Sequence, residues 1–203
     1  MSILKIDSIV SRLDGHKRDL EEVGEGTREA AVATILRPGN HTEAMFILRA
    51  SRDGDPWSGQ MAFPGGHRDP GDLSIRHTAE RETWEEVGLD LSSHARHLGE
   101  LDQIRVRPRG RNIDMVVTPV LYVLESESFA LSPNDEVAEI LWGSLDEMYA
   151  GTSRTEETFH VAGQSKRFPG YSVGEQVVWG LTMRMLEQFF TMLDPEFESE
   201  PDW

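Results

Sequence analysis

Residues 63–72, FPGGHRDPGD, read as a loop, because glycine and proline interrupt helix and strand alike. From Asp72 to Leu89 the chain then holds neither residue until Gly88, which predicts a helix. That stretch includes ERETWEEVGL, with four glutamates in the seven residues 80–86. In a helix Glu82 and Glu86 stand at i and i+4 and share a face, with Glu85 beside them. Ala79, Thr83 and Val87 follow a different stripe, suited to packing on a sheet. Like charges one turn apart cost about 0.2–0.5 kcal/mol per pair. A hard divalent cation such as Mg2+ or Mn2+ turns that repulsion into ligation by oxygen. Taken alone the run also fits a solvated acidic face. The PGG turn adds backbone without side chains, able to approach whatever the helix holds and to offer a carbonyl oxygen.

The flanking segments set the fold class. Ile3, Ile6, Ile9, Val10 and Leu13 make a helical stripe. EAAVATIL and EAMFILRA read as strands joined by the turn RPGNH, and MAF as a short strand before the glycine turn. ARHLGELDQIRV and MVVTPVLYVL are strand-like on either side of the basic loop RPRGRN. EVAEILW is a further strand, LDEMYA a helical turn and ETFHVAG an edge strand. GEQVVWGLTMRMLEQFFTML is predicted as one helix, with apolar Val178, Leu181, Met185, Phe189 and Met192. Mixed strands with three flanking helices give an α+β chain or an α/β/α sandwich. With no repeat or low-complexity linker, residues 1–193 are expected to form a single domain. The tail 194–203, DPEFESEPDW, has five acids and fits a solvated extension.

The net charge of −16 disfavours a stable complex with nucleic acid. It is compatible with a small phosphorylated substrate bridged to the protein by cations. No apolar run approaches membrane-spanning length, and the N-terminus lacks a continuous signal-peptide core. The absence of cysteine excludes disulfides, thiolate metal sites and a cysteine nucleophile. These features together make a cytoplasmic location the expectation, with no membrane partner; self-association as a homodimer is left open.

The glycine turn and acidic helix together resemble the Nudix box of the Nudix hydrolases. That pattern runs glycine, five residues, glutamate, seven residues, Arg-Glu, an apolar residue, any residue, Glu-Glu, any residue, glycine and an apolar residue. Residues 81–89, RETWEEVGL, fit its second half, with Thr83 at the apolar position. The box spans about residues 66–89, with 14 residues between Gly66 and Arg81, one more than in the family pattern. Asp72 stands where the early glutamate falls. The resemblance implies a Nudix-type sandwich with a mixed sheet between helices, and hydrolysis of a nucleoside diphosphate linked to another group. It implies Mg2+ or Mn2+ as cofactor, held by Glu82, Glu85, Glu86 and the Gly66 carbonyl. Arg81 would orient the carboxylates, and Asp72 would prop the loop through Arg81. The general base is a box glutamate or one from a later loop; Glu136 in SPNDEVAEILW is the candidate, Glu139 the second. For both, a charged strand edge is the plain alternative.

The flanks resemble the coenzyme A diphosphatase branch of that family. Arg49-Ala50 in FILRAS, Gly59, and Phe63-Pro64-Gly65-Gly66 match its upstream motif, and FPGYSVGEQVVWGL resembles its entry into a C-terminal helix. Coenzyme A or a derivative is the substrate this implies; ADP-ribose, NADH, a dinucleoside polyphosphate, or binding without catalysis are the alternatives. The branch's second upstream arginine is missing: Asp55 holds its spacing, and Arg52 is the nearest replacement. Arg49, Arg52, Arg107 and Arg109 are candidate substrate-binding residues, although the arginines of RVRPRGRN also fit a solvated hairpin tip. Trp57 could stack on an adenine or cap the core.

Overall fold

The computed structural model describes residues 3–52, 57–107, 113–126, 129–161 and 164–200. Helix α1 (Ile6–Gly15) precedes strands β1 (Arg28–Arg37), β2 (Glu43–Arg49), β3 (Met61–Ala62) and β4 (Gly65–His67). Helix α2 (Ile75–Val87) and the short α3 (Leu91–His94) lead to β5 (Ala95–Glu100), β6 (Ile104–Val106) and β7 (Met115–Leu124). Then come β8 (Val137–Ser144), α4 (Leu145–Tyr149), β9 (Arg154–Val161), β10 (Gln164–Val173), β11 (Gln176–Trp179) and α5 (Gly180–Leu193).

Eight strands form one mixed sheet, with the path β3-β2-β1-β7-β5; β4 joins at β1, β6 at β7 and β8 at β2. The central pair β1–β7 is parallel and the other pairings are antiparallel. Every residue of β7 is buried, as expected for a strand covered on both faces. Two apolar clusters divide by strand alternation. Ala31, Ala33 and Ile35 of β1 face Ala79 and Val87 of α2. Ala30 and Leu36 belong to the cluster formed with α1 and α5, which holds Ile9, Met185 and Phe189. The α/β/α layering and the stripe Ala79–Thr83–Val87 are therefore as expected, all three being fully buried.

Within FPGGHRDPGD, read as a loop, Gly65–His67 forms β4 because the side-chain-free glycines let it pair closely with β1. Two further segments differ from expectation. The ARHLGELDQIRV stretch is split into β5 and β6, and the split lies opposite Pro119. The Leu101 N–H donates to the Pro119 carbonyl at 2.9 Å, but proline returns no N–H from the same side of its strand. The segment read as one C-terminal helix begins as a hairpin: β11 pairs with β10, itself not anticipated, in the three-stranded sheet β11-β10-β9. Gly174 and Gly180, with φ of 59° and 58°, bracket β11, and the β-branched pair Val177-Val178 suits a strand. The helix starts only at Gly180, so Val178 is buried from a strand.

The acidic tail is held through residue 200 rather than solvated along its length. Phe197 stacks on Tyr149 at 5.6 Å between ring centres and tilts against Phe190 at 5.2 Å. Arg154 pairs with Glu200 at 2.7 Å and reaches the Glu198 carbonyl at 2.9 Å. A phenylalanine among five acids is the feature the charge count concealed. No helix among the described residues is long and apolar enough to cross a membrane.

Candidate active site

Helix α2 is set at both ends by its own sequence. The Ser74 hydroxyl accepts the His77 N–H at 3.1 Å as N-cap, and Gly88, with φ 70°, closes the C-terminus in the left-handed conformation. Its buried stripe lies on the sheet, which turns Glu82 and Glu86 toward the glycine turn. There β4 is paired to β1, with Val32 opposite Gly65 and Ala31 opposite Gly66. A Cβ on Gly65 would lie 2.3 Å from the Ala31 carbonyl oxygen. One on Gly66 would lie 2.6 Å from the Glu82 carboxyl carbon. Glycine is required here because backbone meets backbone on one side and a carboxylate on the other.

The two glutamates occupy different environments. Glu86 is buried, accepts the Gly65 N–H at 2.8 Å, and has the Arg49 guanidinium 3.9 Å away. Burial pushes its carboxyl up to about 7, against the pull of that N–H and of Arg49. Glu82 is pushed up too, first by burial, with Arg81 opposing. Glu85 is half exposed and turned to Arg81 at 3.1 Å.

Arg81 joins loop to helix. Its Nε and Nη2 donate to the two Asp72 oxygens at 3.0 and 3.1 Å, and Nη2 also reaches the His67 carbonyl at 2.9 Å. Nη1 lies 2.9 Å from Glu82 and 3.1 Å from Glu85. The Asp72–Arg81 pairing expected from sequence is thus present. Asp72 is buried and accepts as well from the Asp69 N–H and the Thr78 hydroxyl, each at 2.9 Å. The Arg81 hydrogen bonds, helped by those two donors, hold its carboxyl well below the ordinary range. Asp72→Ala is expected to destabilise the fold by about 3 kcal/mol, because a buried pair is broken and two donors lose their acceptor. A group with a depressed folded pKa stabilises fully above its unfolded value, near 4, and the contribution is lost as pH falls below it. Melting of parent and variant between pH 7 and pH 3 checks this: the gap should narrow on acidification, and a constant gap would assign the loss to packing.

A cavity of about 340 Å³ opens beside these groups. Gly66, Glu82, Glu86, Glu136, Arg49 and Trp57 all line it, so six of the residues singled out in the sequence meet in one place. Its floor is Ala30 and Val32 of β1 with Met115 and Val117 of β7, and its wall is Leu181, Thr182 and Met185 of α5. Glu136 stands at the rim, bonded to Arg52 at 2.6 Å, and both side chains are largely exposed. Other candidates lie elsewhere. Glu139 is exposed on β8, opposite Leu48. Arg107 shares Asp114 with Arg105, at 3.0 and 2.7 Å, away from the cavity. Asp55, Arg109 and Arg111 lie outside the described residues. The sequence reading missed Asp69 and His67, which line the cavity from the longer turn, and the α5 wall. Burial and the charge of Arg28 push His67 down. A polar residue two places beyond the lining Gly65 on a strand is the signal that could have found His67; Asp69, past the end of β4, carries no such signal.

The donor set fits a hard divalent cation: carboxylate and backbone oxygens, no sulfur, and a notch at Gly66 that a single Cβ would fill. Among the described residues no three acidic or histidine side chains already converge at ligating positions. The buried Glu86 carboxylate has Arg49 only at 3.9 Å, and a cation at the notch would add a second positive charge beside it.

A family model described as the NUDIX domain matches residues 27–162. The chain is 34% identical over 163 residues, 79% of its length and 80% of the relative's, to an uncharacterized Nudix hydrolase NudL of Pectobacterium atrosepticum. It is 32% identical over 156 residues to the mitochondrial coenzyme A diphosphatase NUDT8 of Mus musculus, covering 75% of this chain and 71% of that one. A shorter match, 53% over 60 residues, spans only 18% of the uncharacterized protein C14C4.10c of Schizosaccharomyces pombe. Among solved structures, a MutT/nudix family protein from Enterococcus faecalis superposes with a TM-score of 0.57 at 15% identity, over 97% of this chain and 72% of that one.

Proposed function

Because the chain belongs to the Nudix hydrolase family, we propose that it is a divalent-metal-dependent diphosphatase for a nucleoside diphosphate linked to another group, coenzyme A or a derivative in particular. The observation that carries this reading is the meeting of Glu82 and Glu86 with the Gly65-Gly66 backbone at the mouth of a 340 Å³ cavity. The similarity to NUDT8, named as a coenzyme A diphosphatase, supports the substrate. Glu82, Glu86 and the Gly66 carbonyl would hold Mg2+ or Mn2+, and Glu85 would join them on leaving Arg81. A cation there would neutralise the diphosphate and acidify water.

The chain's own groups do the rest. Arg81 fixes the loop against α2 and keeps the carboxylates aligned. Glu136 at the rim takes the proton as water attacks one phosphorus and the bridging oxygen leaves with the other phosphate. The apolar floor and the α5 wall seat the organic part of the substrate and exclude water from it. A second reading, ADP-ribose or NADH as substrate, is favoured by one observation: Asp55 holds the place of the branch's second arginine.

The purified chain, supplied in turn with Mg2+ and Mn2+, is expected to cleave coenzyme A faster than ADP-ribose, NADH or diadenosine polyphosphates, with products identified by mass. Excess chelator is expected to abolish turnover. Activity that persists in chelator would end the metal reading. Cleavage of ADP-ribose or NADH but not coenzyme A would end the substrate reading and leave the chemistry standing.

A further inference from the structure

We propose that Arg28, at the outer end of the cavity floor, binds a phosphate monoester that the substrate carries in addition to the diphosphate it loses. The inference rests on the diphosphatase reading and adds a chemical feature of the substrate that the reading leaves open.

The register of β1 sets the geometry. Val32 lies opposite Gly65 and Ala30 opposite His67, and both β1 residues line the cavity. Side chains alternate along a strand, so the next residue on that face is Arg28, about 7 Å beyond Ala30. The parallel partner agrees: Ala30 is beside Val117 and Arg28 beside Met115, and both β7 residues belong to the floor. The Arg28 backbone is fixed, its N–H donating to the Asp114 carbonyl at 2.9 Å. A second cavity of about 610 Å³ opens at this end, lined by Arg28 and Arg68 together with the acids Glu29, Asp69 and Asp72, and it shares His67 and Asp69 with the first. A ligand can therefore run from the carboxylates across His67 to Arg28.

Charge singles Arg28 out. Arg68 is spent on Glu29 at 2.9 Å, Arg105 on Asp114 at 2.7 Å, and Arg81 on Asp72. Arg28 is exposed, and no carboxylate among the described residues lies within ion-pairing distance of it. In a chain of net charge −16, a guanidinium beside the cavity and without an acid is suited to fork onto a phosphate. Asp69, in the turn just past β4, opposes any anion there, while Glu29 and Asp72 are held by Arg68 and Arg81; solvent screens the contact, so the grip is modest: about tenfold.

The test measures binding and turnover separately. Calorimetry on the full chain with Mg2+ compares adenosine 3′,5′-bisphosphate with AMP, for the parent, Arg28→Ala, Arg28→Lys and Arg52→Ala. The parent is expected to bind the bisphosphate about tenfold more tightly, Arg28→Ala to lose that preference without weakening AMP, and Arg52→Ala to keep it. Arg28→Lys should retain part. The ratio of kcat/KM for coenzyme A and dephospho-coenzyme A should follow the same order. No preference in the parent, a preference that survives Arg28→Ala, or one that disappears with Arg52→Ala instead would overturn the proposal. If no compound is hydrolysed, the diphosphatase reading fails while the binding ratio still decides the role of Arg28. If hydrolysis proceeds with a ratio indifferent to Arg28, the reading stands and the subsite does not.

Discussion

Glu86→Gln is expected to lower kcat about 10³-fold, while the metal-free protein melts no lower than its parent. Removing one preorganised charged group from a catalytic site costs up to about that factor. The amide keeps the size of the side chain and still accepts the Gly65 N–H. What it discards is a buried negative charge that burial pushes up to about 7, and losing it relieves the folded state in the absence of metal. Initial rates at saturating Mn2+, set beside melting curves in chelator, separate the two effects. A fall in stability that matches the fall in rate would make Glu86 a packing residue. An unchanged rate would remove it from the chemistry.

Glu136→Gln is expected to lower kcat by a factor on the order of 10²–10⁴ with KM little altered, the range for loss of a general base. Glu136 lines the cavity from the rim, and Glu139 does not. The substitution also leaves Arg52 without its partner at 2.6 Å, but that pair is exposed and adds little to stability. The split between kcat and KM is the sharper readout, since a substrate-binding role would move KM instead. A variant with full activity would return the base to the α2 glutamates.

The helix with its glutamates was legible because a single helical period both buries Ala79, Thr83 and Val87 and turns Glu82 and Glu86 to one side. Asp72 with Arg81 was legible only through the resemblance, Asp72 standing where the box pattern has its early glutamate, and the two are bonded at 3.0 Å. The cavity floor was harder to read. Ala30, Val32, Met115 and Val117 look like any strand core until the parallel pairing of β1 with β7 is known, and pairing is not written in local pattern. The hairpin β10–β11 was hidden by Gln176–Trp179, whose apolar residues continue the helical stripe of α5. Only the glycines on either side, at positive φ, break that run. Arg107 and Arg49 were equal candidates as charges; the structure gives the first to Asp114 and the second to the cavity.

Helix α5 carries loads at both ends. Its first turns supply Leu181, Thr182 and Met185 to the cavity wall, and the Thr182 hydroxyl is anchored to the Met61 carbonyl at 3.1 Å. Farther along, Phe190 meets Phe197, and Glu187 accepts the Glu200 N–H at 3.2 Å. The fourteen residues of helix make a stiff beam about 21 Å long, and Thr182 and Phe190 lie about 12 Å apart along it. Force on the residues after Asp194 is therefore delivered to the cavity wall along one rigid member, and a tether fused there pulls on the cavity as a handle pulls on a hinge.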